Sequence, residues 1–138
     1  MRPALACLAA LLLLPPAVRA VPVNDPVLAK TLQICQTSGL ETALLNLYAD
    51  RPVLAAELKE KVSALTRGLG VVIDTEVVAT HPIGKRLVRF YVAVYFVRRP
   101  LWLRIDRYAG RDDPVFLPPR YSLDPDEILP GYLTEYPP

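Results

Sequence analysis

The stretch from residue 86 to residue 108 most constrains the fold, because two segments rich in Val, Phe, Tyr and Leu flank one short break in it. The break is Arg98-Arg99-Pro100. β-Branched and aromatic residues favour strands, whereas proline beside charged residues favours a turn. The stretch therefore predicts an antiparallel β-hairpin, in which we expect Val97 to lie opposite Pro100.

In this register the two faces of the hairpin differ in chemistry. One face, the aliphatic face, carries Val88, Phe90, Val92, Val94, Phe96, Leu101, Leu103 and Ile105. The other, the amphipathic face, carries Arg89, Tyr91, Tyr95, Trp102, Arg104, Asp106 and Tyr108. A slip of one residue would mix the two sets, which a buried face penalises. We expect the aliphatic face to pack in a core and the amphipathic face to carry any binding site.

A third strand is predicted at residues 71–80, where apolar and polar side chains alternate, and a turn is predicted at residues 81–85. We expect His81 to lie opposite Arg86. The aliphatic face would then gain Ile73, Thr75, Val77 and Ala79, and the amphipathic face would gain Asp74, Glu76 and Val78.

A fourth strand is predicted at residues 115–123. Pro118 and Pro119 cannot donate ladder hydrogen bonds, so we expect this strand to lie at an edge of the sheet or to carry a bulge. Asp124 is predicted to cap a last helical turn that ends at Leu129.

Three helices are predicted ahead of the strands. Asp25 has the chemistry of a helix cap, Pro26 suits a first turn, and Gly39 suits a helix end. Further helices are predicted at residues 40–47 and 52–67. The inward positions, at helical spacing, are Leu28, Leu32, Cys35, Leu54, Leu58, Val62 and Leu65.

Helices followed by antiparallel strands predict an α+β fold, with three N-terminal helices packed on one face of a four-stranded antiparallel sheet. The chain resembles the NTF2-like (cystatin-like) superfamily in this order of elements and in three segments: the strand at 91–96, the turn at 99–102 and the segment 124–129. The resemblance covers residues 25–129 and is greatest to small exported members with no assigned activity. It implies a sheet curved around a pocket that the helices close, with a catalytic Asp or His in some members and none in many.

Residues 1–20 have the form of a secretory signal peptide, with Arg2 before an apolar run and a predicted cleavage site after Ala20. The apolar run is too short to cross a bilayer, so we expect no stable membrane span after cleavage. The remaining chain is predicted to comprise one α+β domain at residues 21–129 and a Pro-rich, acidic tail at residues 130–138. A secreted or periplasmic location is expected.

The charge balance argues against nucleic acid as a partner. Cleavage removes Arg2 and Arg19 from 16 basic residues, which leaves 14 basic and 14 acidic residues. Because Lys and Arg also form no cluster, we expect no contact with nucleic acid.

Residue types that usually hold metals or cofactors are sparse. His81 is the only histidine and is expected in a solvated turn, while Cys35 is the only cysteine after cleavage and is expected in the core. One His and one Cys do not build a zinc site, and segment 124–127 lacks the spacing and the glycine of a calcium loop. The sequence predicts no metal and no cofactor.

The amphipathic face carries the functional hypotheses. A helix layer covers one side of a sheet, so this side should meet water, a small apolar or anionic ligand, or a partner protein such as a second copy of the chain. The alternative is an enzyme in which Asp106 is the general base and Arg104 or Tyr91 stabilises developing charge. Because no catalytic constellation surrounds Asp106, we favour a non-catalytic binding module.

Overall fold

A computed structural model describes residues 25–135, which begin with three helices: α1 (Pro26–Ser38), α2 (Leu40–Leu47) and α3 (Pro52–Thr66). Five strands follow: β1 (Val72–Ile83), β2 (Leu87–Phe96), β3 (Pro100–Tyr108), β4 (Val115–Phe116) and β5 (Arg120–Ser122). Two short helices, α4 (Pro125–Ile128) and α5 (Gly131–Thr134), complete the described part. The predicted α+β order of helices followed by antiparallel strands is confirmed.

The predicted signal peptide at residues 1–20 and its cleavage site lie outside the described residues. Between residues 25 and 135, no helix combines the length and the apolar character needed to cross a membrane. The tail predicted from residue 130 begins inside the described part, where α5 forms.

Local chemistry sets the limits of α1. The Asp25 carboxylate accepts hydrogen bonds from the N–H groups of Val27 and Leu28, at 3.0 Å each. Pro26 occupies the first turn. Gly39 ends the helix with a φ of +95°, a conformation that residues with a side chain rarely adopt. The predicted cap and the predicted end of this helix are both confirmed.

The sheet has β2 at its centre, between β1 and β3. Both β4 and β5 pair with the outer edge of β3, β4 near Tyr108 and β5 near Trp102. The single strand predicted at residues 115–123 is therefore two short strands. Pro118 and Pro119 separate them, because neither residue can donate to the ladder. The described sheet has five strands, not the four predicted.

The hairpin of β2 and β3 keeps the predicted faces but not the predicted pairing. Tyr95, not Val97, lies opposite Pro100, so the pairing is shifted by two residues. Because side chains alternate with a period of two, this shift leaves every residue on its predicted face. Trp102, however, lies opposite Ala93 rather than opposite Tyr95.

Two bulges in β1 change the side on which its residues lie. At the first bulge, Ile73 is 63% exposed. The alternation of residue types had predicted Ile73 on the aliphatic face. The second bulge lies between Val77 and Ala79. Val77 remains in the core, as predicted, but lies opposite Val92 rather than opposite Phe90, the partner in the predicted register. Ala79 lies opposite Tyr91 on the amphipathic face, contrary to prediction.

Strand β1 also continues further than predicted. Ile83 pairs with Leu87, so the turn comprises residues 84–86. His81 is therefore a strand residue, opposite Arg89 on the amphipathic face. The prediction of a solvated turn histidine is wrong.

The aliphatic face packs on the helices in one contiguous core, as predicted. Val92, Val94 and Leu101 are 0% exposed at its centre. The core also includes Leu28, Leu32, Leu44, Leu58, Val62, Phe90, Leu103 and Ile105, with Leu54 and Leu65 partly buried against it. Cys35 is buried there as well, and burial, with a smaller contribution from Glu41, raises the pKa of its thiol to about 12. Burial thus disfavours the thiolate form of this core cysteine.

Polar contacts also join the helix layer to the sheet near β4, and two of them link residues far apart in sequence. Arg107 on β3 forms an ion pair with Asp25, the cap of α1. Tyr48, which follows α2 and is 0% exposed, donates its hydroxyl to the carbonyl of Leu117 at 2.8 Å. Burial raises the pKa of the Tyr48 phenol, so this hydroxyl stays a donor.

The substitutions Val94→Asp and Ile73→Asp test the two sides of the sheet with the same added charge. At the fully buried Val94, an unpaired carboxylate is expected to lower the free energy of unfolding by more than about 4 kcal/mol. At the exposed Ile73, the change is expected to be less than about 0.5 kcal/mol. Urea denaturation measures both values. A large loss of stability in the Ile73→Asp variant would contradict the exposed position that the bulge gives to residue 73.

Candidate functional site

Cross-strand pairing arranges the amphipathic face in rows. The row nearest the β2–β3 turn contains Asp74, Tyr95 and Pro100, and the second contains Glu76, Ala93, Trp102 and Ser122. The third row contains Ala79, Tyr91, Arg104 and Arg120. The fourth contains His81, Arg89 and Asp106, and the last contains Ile83, Leu87 and Tyr108. The seven residues proposed from the sequence thus share one face. Its basic residues are concentrated in the third and fourth rows.

Residues 124–135, the C-terminal segment, cross the middle of this face. Ile128 is 7% exposed and packs against Ala79 and Tyr91, and Leu129 packs against the same cluster. Tyr91 is consequently also 7% exposed. The expectation that this face meets only water, a ligand or another chain is therefore wrong for its middle, which the chain itself covers.

Hydrogen bonds at the end of β5 turn the chain onto this face. The Asp124 carboxylate accepts from the N–H of Asp126 at 3.0 Å, which confirms the predicted cap. The Ser122 hydroxyl donates to the Glu127 carboxylate at 2.6 Å and accepts from the N–H of Asp124 at 3.0 Å. These bonds fix the direction in which α4 leaves the sheet.

His81 holds the far end of the C-terminal segment. Its ring stacks on Tyr132, with centroids 5.7 Å apart, and the Tyr132 hydroxyl hydrogen-bonds to its Nε2. The ring of Tyr91 meets His81 edge-on at 5.8 Å. Sequence reasoning missed this contact, because it joins β1 to a segment 51 residues away that carries no periodic pattern.

Arg89 and Asp106 form an ion pair in the fourth row. Nε and Nη2 of Arg89 donate to the two carboxylate oxygens of Asp106, at 2.9 and 3.0 Å. These hydrogen bonds to Asp106 raise the pKa of Arg89. Both oxygens of Asp106, the residue named as general base in the enzyme alternative, thus accept hydrogen bonds from one guanidinium group.

Arg104 and Arg120, the arginine patch, lie side by side in the third row. Among the described residues, neither forms an ion pair. Burial, followed by repulsion from Arg89, lowers the pKa of Arg104, and Arg120 adds to the repulsion. The carboxylate of Asp106, in the next row, is hydrogen-bonded to Arg89, so the arginine patch is a local concentration of positive charge on this face.

Tyr95 and Tyr108 lie at opposite ends of the face. The Tyr95 hydroxyl donates to the Glu76 carboxylate at 2.7 Å. Burial and this hydrogen bond raise the pKa of Tyr95 to about 12. Tyr108 is 41% exposed and lies opposite Leu87. With Tyr91 covered between them, the aromatic residues do not form a continuous exposed stripe.

Cavities of about 280, 330, 410 and 430 Å³ indent the described surface. The cavity of about 430 Å³ lies at one end of the helix layer, between Glu41 and Arg67, away from the amphipathic face. The cavity of about 410 Å³ lies between Trp102 and the C-terminal segment. Arg104 and Arg120 line none of the four. In the described part of the chain, no group of three or more His, Cys, Asp or Glu residues is placed to hold a metal ion.

Comparison with known proteins assigns no relative. No protein-family model matches the chain, no curated protein matches it, and no solved structure matches it. The chemistry of the amphipathic face is therefore the basis for a functional assignment.

The variants Arg89→Met and Asp106→Asn, made singly and together, measure the strength of the ion pair between the two side chains. The two side chains are 25% and 15% exposed, so solvent screens part of their attraction. A coupling free energy of about 1 kcal/mol is expected from the double-mutant cycle in urea denaturation. A coupling near zero would mean that the two side chains do not interact in solution.

Replacement of Ile128 by Ser is expected to release the C-terminal segment from the sheet, because the apolar contact with Ala79 and Tyr91 is lost. Trp102 is the only tryptophan of the chain, so its fluorescence should shift to longer wavelength as water reaches it. Val53→Ser, at a 72% exposed site on α3, is the control and should leave the emission unchanged. Identical emission from both variants would argue against cover by the segment.

Proposed function

We propose that this protein is an exported, non-catalytic binding module of the NTF2-like type, which binds an acidic segment of a partner protein at the arginine patch. Export to the periplasm or the exterior is supported by the pattern of residues 1–20. The NTF2-like assignment is supported by the order of three helices followed by an antiparallel sheet.

The charge of Arg104 and Arg120 is the observation that carries this proposal. Like charges that lie directly opposite each other on neighbouring strands destabilise a sheet. A carboxylate from a partner would remove that repulsion, and guanidinium groups bind carboxylates through paired hydrogen bonds. Within residues 25–135 neither arginine has a carboxylate in an ion pair, so the two are suited to an anionic group of another molecule.

The shape of the arginine patch favours a protein over a small molecule. Small ligands are usually held in cavities of about 300–1,000 Å³, and neither Arg104 nor Arg120 lines any of the cavities described above. Tyr108, which is 41% exposed, lies on the same face. Tyr and Arg are enriched among the residues that dominate protein–protein binding energy.

A synthetic peptide of glutamate residues is a suitable probe for the arginine patch. Titration into ¹⁵N-labelled protein at low salt is expected to shift the amide signals of β3 and β5, which carry Arg104 and Arg120. The substitutions Arg104→Gln and Arg120→Gln should each weaken binding about tenfold, or about 1.4 kcal/mol. Added salt should weaken binding further, because these charges are partly exposed.

Arg98→Gln is the matched control, because it removes the same charge from an exposed position in the β2–β3 turn. The proposal requires this control to bind the peptide as the unchanged protein does. Equal loss in all three variants would show only non-specific attraction, and an absence of binding at low salt would overturn the proposal. Light scattering of the unchanged protein and of Arg104→Gln shows whether the partner is a second copy of the chain.

A further inference from the structure

The C-terminal segment and Trp102 enclose a cleft of about 410 Å³, which we call the Trp102 cleft. Its lining consists of Trp102, Pro125, Asp126, Leu129, Leu133, Thr134 and Glu135. Trp102 lies between two small cross-strand neighbours, Ala93 and Ser122, so neither neighbour fills the space beside the indole. The lining of the cleft therefore combines an indole, apolar side chains and two carboxylates.

The charged residues that line the Trp102 cleft are both acidic. Four acidic residues lie in the C-terminal segment, and two of them have structural partners: Asp124 caps α4, and Glu127 accepts from Ser122. The other two, Asp126 and Glu135, line the cleft, and no ion pair within residues 25–135 involves either of them. No basic residue lines the cleft.

An indole beside carboxylates is the arrangement that attracts an organic cation. A guanidinium or ammonium group placed over the face of Trp is drawn to the negative centre of the ring, and Trp is the strongest of the aromatic side chains in this respect. The planar guanidinium group can stack on the ring while its edge donates hydrogen bonds to a carboxylate. Leu129 and Leu133 suit the methylene groups that carry such a head group.

We propose that the Trp102 cleft binds an arginine side chain of a partner protein, with the guanidinium group stacked on Trp102 and hydrogen-bonded to Asp126 and Glu135. This site uses different residues from the arginine patch and does not depend on it. The two sites have opposite charge and lie on the same sheet face, so they would select a partner surface that presents both signs of charge.

Trp102 reports directly on this proposal, because it is the only tryptophan of the chain. The probe is N-acetyl-arginine N-methylamide, which carries one charge, on its guanidinium group. Titration of the full chain is expected to change the Trp102 fluorescence with saturation at millimolar concentrations. The citrulline analogue has nearly the same shape without the charge, so it should produce no saturable change.

Asp126→Asn and Glu135→Gln remove the charges of the cleft and keep the size of the side chains. Each is expected to weaken binding of the arginine probe about threefold or more, and the double variant should lose saturable binding. Glu57→Gln removes one charge from an exposed position on α3 and should bind the probe as the unchanged protein does. Thermal unfolding of each variant checks that the C-terminal segment remains folded on the sheet.

Two results would overturn the proposal. One is an equal fluorescence change with the arginine and citrulline probes, which would show contact with the indole but no recognition of charge. The other is unchanged affinity in the double variant, which would place the cation away from Asp126 and Glu135. Neither result would bear on binding of an acidic partner at the arginine patch, which is measured with a different probe.

Discussion

Burial of β2 on both of its faces is the constraint on which the rest of the structure depends. Phe90, Tyr91, Val92, Ala93 and Val94 are consecutive, and none is more than 7% exposed. A sheet with one solvated face would instead show alternating burial. The helices cover one face of β2, and the C-terminal segment covers the other. The segment is therefore part of the fold, and only the surfaces on either side of it are open to partners.

The alternation of residue types was sufficient to predict the faces of the hairpin, because a core penalises any slip of one residue. It could not distinguish registers that differ by two residues, since these put the same side chains on the same face. The pairing of Tyr95 with Pro100 depends on the geometry of the turn instead. The bulge between Val77 and Ala79 was equally invisible, because all the residues around it suit a strand.

Three charged residues of the candidate site, Arg89, Arg104 and Asp106, lie on the face where alternation predicted them. Arg120 was not predicted there, because the prolines before it hid the register of β5. The covered part of the site was not predicted either, because the contacts of Ile128 and Tyr132 join elements that are distant in sequence. One signal was present in the sequence. The apolar stretch around Tyr91 and Ala93 is nearly continuous, and such a run is typical of a strand buried on both faces. Because this stretch was interpreted as an alternating strand, burial of its second face by another part of the chain was not predicted.

The ion pair between Asp25 and Arg107 joins residues 82 positions apart, and Tyr48 bonds to the carbonyl of Leu117 across 69 positions. The helices precede their partners in the chain, so these two contacts form only after residues 107 and 117 have been synthesised. Folding in which distant parts of the chain must meet is slower than folding through local contacts. The apolar side of the helices, by contrast, is covered by residues of β1, β2 and β3. The free energy of these two contacts is gained only when residues 82 and 69 positions apart meet, so the contacts stabilise the finished fold rather than its first helices.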